Sequence, residues 1–279
     1  MSTKKNSRTI LSANIHVYGG CNYRCNHCFA TDLSNKYIPP TSWIPILKYL
    51  KLQGITKINI AGGEPTIYPD LLELCRIIKS MGFTVSIVSN GSILTEDIIA
   101  ELSKYVSWIG LSVDSPDDSD EILIGRHADS INHIENIINV ADIAHRHGIK
   151  VKLNITVVRH SWCKNFKDLI GKVNPERIKA FRALTLKNAN DDRPDTWSIT
   201  NEEYRTFVNT HKNIENMVFE DNEDMQGTYL MFDPLGRWMV NKGGVKRCLP
   251  FEKLVHDGFD SEVDVDRYYG RNAVYNWGN

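Results

Sequence analysis

The feature that most constrains this chain is a regular alternation of short β-branched runs with longer helical patterns, sustained to about residue 184. The runs are Leu11–Val17, Lys57–Ala61, Thr84–Ser89, Trp108–Val113, Lys150–Val157 and Arg177–Leu184. Helix-periodic segments fall between them, near 42–53, 69–81, 95–104, 130–147 and 163–173. Such alternation builds right-handed βαβ units on a parallel sheet, because each strand must be followed by a return to the same end. Six units are too few to close an eightfold barrel, so the pattern predicts an α/β fold, a partial (β/α)6 TIM-like barrel. Local punctuation agrees. Thr95 stands before Glu96 and Asp97, an N-cap followed by acids that suit the helix dipole. Gly54, Gly82 and Gly148 stand where a helix should end before the next strand.

Beyond residue 184 the rhythm changes. A polar loop over 188–195 leads to a helix near 200–211, and Thr228–Phe232 and Arg237–Val240 flank Asp233-Pro-Leu-Gly, a hairpin signal. The division expected is a barrel core over 1–184 and a C-terminal extension over 185–279 packed on it. With 33 basic and 34 acidic side chains the net charge is −1, which gives no global field for nucleic acid or an anionic membrane. The polar start, Met1 to Arg8, is neither a signal peptide nor an amphipathic leader, and no apolar stretch is long enough to span a bilayer. A cytoplasmic protein with no nucleic-acid or membrane partner is expected.

Six cysteines do not make a disulfide scaffold in a chain this long, and three of them fall within eight residues. Cys21, Cys25 and Cys28 are spaced C-x3-C-x2-C, directly after the first run. Thiolates at this spacing can hold three irons of a cubane and leave the fourth open, or can contribute to a zinc site. Zinc wants a fourth ligand in a closed shell, and His27 is too close to Cys28 for the usual spacings. Cys75 and Cys163 read as buried small hydrophobes in helices. Cys248 lacks the companions an auxiliary cluster would need.

One βα unit later comes Gly62-Gly63-Glu64-Pro65, again directly after a strand-like run. On its own this is a glycine turn. Beside the cysteine loop, its glycines let backbone approach a ligand while Glu64 accepts from an ammonium group. Cysteine loop and GGE motif, in this order on this barrel, resemble the radical S-adenosylmethionine (SAM) superfamily. The resemblance implies a [4Fe–4S] cluster on Cys21, Cys25 and Cys28 and SAM at Gly62, Gly63 and Glu64. It also implies that His27, Asn90, Ser112 and Arg126 surround the rest of the cofactor.

The strands carry a second signal. Ser12, Asn14 and His16 alternate with apolar neighbours, as do Lys57 and Asn59, Lys152 and Asn154, and Arg177 and Lys179. In a barrel one set meets the helices and the other lines the interior. Four cations facing a lumen require an anion, whereas cations at strand ends would merely be solvated. With no phosphate-binding glycine loop present, any phosphate recognition must come from these side chains.

Within the superfamily the chain resembles the viperin-like enzymes. The similar stretches are Cys21-Asn-Tyr-Arg-Cys25, Lys57 to Pro65, Val85 to Ser92, Leu123-Ile-Gly-Arg126, Asn174 to Lys179 and Thr228-Tyr-Leu. The resemblance implies an antiviral nucleotide dehydratase. A nucleoside triphosphate (CTP, UTP or GTP) would lose its ribose 4′-hydrogen to a 5′-deoxyadenosyl radical, lose water, and end as the 3′-deoxy-3′,4′-didehydro analogue. It implies substrate contacts from Asn14, Lys57, Lys152, Asn154, Arg177 and Lys179, and an external electron donor of flavodoxin or ferredoxin type. Tyr229 would stand beside the ribose for the late electron or proton step, or simply pack on the hairpin. Gly243-Gly-Val-Lys246-Arg247 is a candidate to close over a terminal phosphate. Ala61 stands where animal relatives carry serine. The alternatives are a radical SAM peptide-modifying or cofactor-maturation enzyme and a non-catalytic metal-binding module.

Overall fold

The computed structural model describes residues 9–128, 132–272 and 274–277. The N-terminal run Met1 to Arg8 and the first positions of the helix expected from 130 lie outside them. In chain order the elements begin β1 (Ser12–His16), α1 (Ile44–Leu52), β2 (Lys57–Ala61), α2 (Leu71–Ser80), β3 (Thr84–Ser89), α3 (Glu96–Ser103) and β4 (Trp108–Val113). They continue with α4 (Asp118–Ile124), α5 (His133–Arg146), β5 (Lys150–Val157), α6 (Lys167–Val173), β6 (Arg177–Arg182) and α7 (Asn201–His211). The remainder is β7 (Met217–Glu220), α8 (Asn222–Met225), β8 (Met231–Phe232), β9 (Trp238–Lys242), β10 (Val245–Leu249), α9 (Phe251–Asp257) and α10 (Val265–Gly270).

The ten strands among the described residues form one sheet in the order β10-β9-β8-β1-β2-β3-β4-β5-β6-β7. From β8 through β1 to β7 every neighbouring pair is parallel, and β9 and β10 are antiparallel additions. Residues beyond 184 therefore supply strands at both edges, β7 beside β6 and β8 beside β1. The result is an open, TIM-like parallel barrel. Its apolar strand residues Ala13, Ile15, Ile58, Ile60, Val151 and Leu153 are each at most 1% exposed against the helices. Thr95 caps α3 by accepting from the Ile98 amide, and Gly54, Gly82 and Gly148 take positive φ at helix ends.

Some expectations need correction. The helix expected from 163 begins at Lys167, because Ser161 and Trp162 bond back to the Val158 carbonyl and form a turn. That turn leaves Cys163 exposed outside the helix, while Cys75 is buried in α2 as expected. Gly243 and Gly244, both at positive φ, turn the chain between β9 and β10. Lys246 on β10 then pairs with Asp32 and donates to the Phe29 carbonyl, so it ties this hairpin to the segment after Cys28. Among the described residues, no helix is long and apolar enough to cross a membrane.

Candidate functional site

Parallel strands place their C-terminal ends, and the loops that follow, at one mouth. The cysteine loop follows β1 and the glycine turn follows β2, so they meet there. The contact is backbone on backbone: the Gly63 amide donates to Tyr18 O at 2.7 Å and the Glu64 amide to Gly20 O at 2.8 Å. A β-carbon on Gly63 would lie 2.3 Å from Gly20 O, and one on Gly62 would lie 2.5 Å from Tyr18 O. The glycines thus admit the cysteine loop itself, a closer demand than approach to a ligand.

Glu64 is 1% exposed and braces this junction. Its Oε1 accepts from the Thr66 amide and hydroxyl and from Ser89 Oγ, and its Oε2 from the Asn90 amide at 2.7 Å. Burial pushes its carboxyl above the ordinary value, and these donors oppose the shift. Oε2 keeps capacity for one more donor. Asn90 then turns its side-chain amide to Asn22 Oδ1, with Cys21 Sγ 4.0 Å away.

The cysteine loop packs on a helix the sequence pattern did not reveal. Helix α4 ends at Gly125 (φ +83°), whose carbonyl accepts from the Arg24 amide, and the turn brings Arg126 inward. Arg126 Nε donates to Asp114 Oδ2 at 2.6 Å, and His27 Nε2 lies 3.3 Å from the same oxygen. Burial pushes the Asp114 carboxyl upward, but Arg126 and His27 outweigh it and hold Asp114 below the ordinary value. Glu121 of α4 accepts from the Asp114 and Ser115 amides and fixes the end of β4. Ser112, two residues before Asp114, gives its carbonyl to His133 Nε2.

The polar strand faces converge as alternation required. Asn14, Lys57, Lys152, Asn154, Arg177 and Lys179 line a single cavity of about 340 Å³, with the three cysteines, the glycine turn, His27, Asn90, Ser112, Arg126 and Tyr229 on its other walls. Gly110 on β4 makes room: a β-carbon there would lie 2.7 Å from Asn154 Nδ2. Lys57 and Arg177 open β2 and β6, so they lie at the floor, opposite the cysteine mouth.

The cations are not equivalent. Lys57 is 4% exposed, donates to the Tyr275 hydroxyl at 2.5 Å, and lies among the rings of Trp108, Tyr275 and Trp277. Burial, then Lys152, Arg177 and Lys179, hold its pKa well below the usual lysine value. Lys152 is pulled down to about 8 by burial and by Arg177. Arg177 stacks on Tyr275 at 4.0 Å and donates to Asn272 O at 2.6 Å. Among the described residues, no carboxylate pairs with these three. Lys179 differs: its Nζ is 2.5 Å from Glu220 Oε1 and 2.8 Å from the Tyr229 hydroxyl.

Glu220, Arg271, Tyr275 and Trp277 are site residues that sequence reasoning missed. Glu220 ends a strand of only four residues, too short for a clear period-2 signal. The others sit in an aromatic tail whose placement depends on long-range packing. Arg271 is 5% exposed, donates to Glu220 Oε1 at 2.9 Å and stacks on Tyr229 at 3.9 Å.

These residues suit a cluster better than a single ion. Among the described residues, no three His, Cys, Asp or Glu side chains converge as one metal ion would need. A cubane asks less convergence, because each thiolate takes a different iron. The Tyr23 and Ala30 amides lie 3.4 Å from Cys21 Sγ and Cys28 Sγ, and such donors stabilise thiolate charge. Buried acceptors without a partner among the described residues, Asn59 Oδ1 and Asn154 Oδ1, belong to residues lining the cavity and call for a polar ligand.

The model of the radical SAM superfamily matches residues 15–170. The chain is 59% identical over 278 residues to an S-adenosylmethionine-dependent nucleotide dehydratase from Thermoplasmatales archaeon (strain ISO4-H5), covering 99% of this chain and 100% of that one. It is 29% identical to S-adenosylmethionine-dependent nucleotide dehydratase RSAD2 of Siniperca chuatsi, over 98% of this chain and 81% of that one. Among solved structures, Streptococcus suis SuiB bound to S-adenosylmethionine superposes with a TM-score of 0.65 at 17% identity, covering 94% of this chain and 68% of that one. At that identity the likeness concerns the fold. The chain belongs to the radical SAM superfamily, whose members use S-adenosylmethionine and a [4Fe–4S] cluster, and within it to the S-adenosylmethionine-dependent nucleotide dehydratases.

Proposed function

We propose that this enzyme removes water from a nucleoside triphosphate to give the 3′-deoxy-3′,4′-didehydro analogue. One observation carries the substrate class. Lys57, Lys152 and Arg177 line the cavity that also holds the cysteine trio, and no carboxylate among the described residues stands within ion-pair distance of them. Three such cations, with Lys57 buried at the floor, need an anionic guest with several charges. The names of the relatives at 59% and 29% identity support the same reading.

Cys21, Cys25 and Cys28 would hold the cluster, and the Gly62-Gly63-Glu64 turn would receive SAM with His27, Asn90, Ser112 and Arg126 around it. When bound, cluster and SAM supply a 5′-deoxyadenosyl radical at the mouth. The chain's own residues do the positioning. Asn14 and Asn154 form a neutral polar layer suited to the ribose, between that mouth and the cationic floor. Lys57, Lys152, Arg177 and Lys179 draw the phosphates downward, so the sugar faces the mouth. Tyr229 presents its hydroxyl beside Lys179, where it can serve a late proton or electron step. We read residues 1–184 as the core and 185–279 as the extension that completes this wall. A cytoplasmic setting and an electron carrier of flavodoxin or ferredoxin type fit the reading.

Anaerobic turnover with SAM, a low-potential reductant and each of CTP, UTP, GTP and ATP tests it. We expect 5′-deoxyadenosine together with a nucleotide product lighter by one water. Absence of both with all four nucleotides, from protein carrying about four irons, would sink the proposal.

A further inference from the structure

Glu220 is 0% exposed and stands behind the cavity wall, at the end of edge strand β7. Every partner of its carboxylate is a residue that lines the cavity. Oε1 takes Lys179 Nζ at 2.5 Å and Arg271 Nη1 at 2.9 Å, and Oε2 accepts from the Tyr229 hydroxyl. Arg271 also donates to Thr228 O at 3.0 Å, which anchors the guanidinium against the Tyr229 ring. Stability alone does not account for such a group, because a buried ion cluster is commonly matched by well-packed apolar residues.

Charge does account for it. At this end of the cavity stand five basic side chains, Lys57, Lys152, Arg177, Lys179 and Arg271, against one carboxylate among the described residues, that of Glu220. With all five protonated, the form a bound polyanion favours, the net is four positive charges. A triphosphate chain carries about four negative ones at neutral pH, with roughly 1.5 to 2 on the terminal phosphate and one on each inner phosphate. Without Glu220 the lumen would be overcharged for its guest and would hold smaller anions just as eagerly.

We infer that Glu220 is a positioning residue that matches the charge of the lumen to a triphosphate and holds Lys179, Arg271 and the Tyr229 hydroxyl in place for it. This rests on the nucleotide reading above. The carboxylate does not meet substrate. It acts through the three side chains it gathers.

The test is Glu220→Gln in the full chain, which removes one negative charge and keeps a side chain of the same shape. Equilibrium binding of inorganic triphosphate and of CTP, UTP and GTP needs no turnover and reads the charge directly. We expect about tenfold tighter binding of triphosphate, as one unit charge at short range in a poorly screened site implies. With it we expect kcat to fall at least tenfold, because Tyr229 loses its anionic anchor, so KM and kcat fall together. Affinity that is unchanged or weakened would overturn the inference, since a purely structural role lowers both binding and turnover. If the single variant does not fold, Glu220→Gln with Arg271→Gln restores the net charge and leaves one fewer unpaired cation. That pair should bind triphosphate within threefold of the parent while kcat stays at least tenfold down, and a tenfold loss of affinity would refute the idea. A parent chain that binds no triphosphate would instead refute the nucleotide reading itself.

Discussion

Replacing Gly63 by alanine separates two uses of a glycine turn, space for a ligand and space for another backbone. The added β-carbon would lie 2.3 Å from Gly20 O, 2.5 Å from Gly19 O and 2.7 Å from Gly20 C. All three are main-chain atoms, so no side chain can swing aside, and one segment must move by about 1 Å to reach ordinary contact. Such a shift breaks the amide bonds from Gly63 to Tyr18 O and from Glu64 to Gly20 O. Two lost hydrogen bonds at about 1 kcal/mol each and overpacking of about 1–3 kcal/mol give a destabilisation of roughly 3–5 kcal/mol. In a chain of this size that corresponds to a Tm lower by roughly 5–9 °C. The displaced segment runs directly into Cys21, so iron and sulfide recovered after anaerobic reconstitution should fall below half of the parent value. Gly148→Ala is the control: it also adds a methyl, at φ +71°, but meets nothing within 4 Å. It should cost about 1–2 kcal/mol, the left-handed backbone penalty alone, and leave iron content unchanged. Gly63→Ala with a parental Tm and a full cluster would refute the packing account of the GGE turn.

Other expectations follow from the same geometry. Lys152→Gln should raise KM for the nucleotide by about tenfold or more while leaving iron content intact, and an unchanged KM would remove Lys152 from the substrate site. In the free enzyme Lys152 sits at about 8 through burial and Arg177, and an anion favours its charged form. Nucleotide affinity should therefore fall by up to a decade per unit above about pH 8, as titration calorimetry across pH would read. Glu64→Ala strips the acceptor from the Thr66 amide and hydroxyl, Ser89 Oγ and the Asn90 amide. A loss of roughly 3 kcal/mol, seen in denaturant unfolding, is expected. Cys25→Ala should abolish the cluster absorbance without unfolding the barrel, since Cys25 sits on a loop rather than in a strand.

Much of this was legible because it is local. Lys57–Ala61, Thr84–Ser89, Trp108–Val113 and Lys150–Val157 appear as strands with the limits their β-branched runs suggest. The lumen-facing set followed from a period of two along each strand. What the sequence concealed depends on partners far away. Arg271 becomes a cavity residue only because Glu220 and Thr228 O hold it, across 51 and 43 residues. Lys179 reads as one more phosphate cation until β7 brings Glu220 beside it. Helix α4 was obscured by its length of seven residues and its run of acids, although Gly125 marks its end clearly. Cys163 was misplaced because a bend bonded to Val158 has no periodicity to betray it.

The pairing of β8 with β1 has a consequence for how the chain acquires its shape. Asn14 waits for Met231 as its ladder neighbour, a separation that makes this a very non-local contact and therefore a slow one to form. At ribosomal speeds of about 5–20 residues per second, β8 emerges on the order of tens of seconds after β1. Throughout that interval β1 keeps an open hydrogen-bonding edge, the kind of surface that recruits foreign strands. The nascent chain is thus most exposed to aggregation while it is being made, and slower or chaperone-assisted expression should raise the yield of correctly closed molecules.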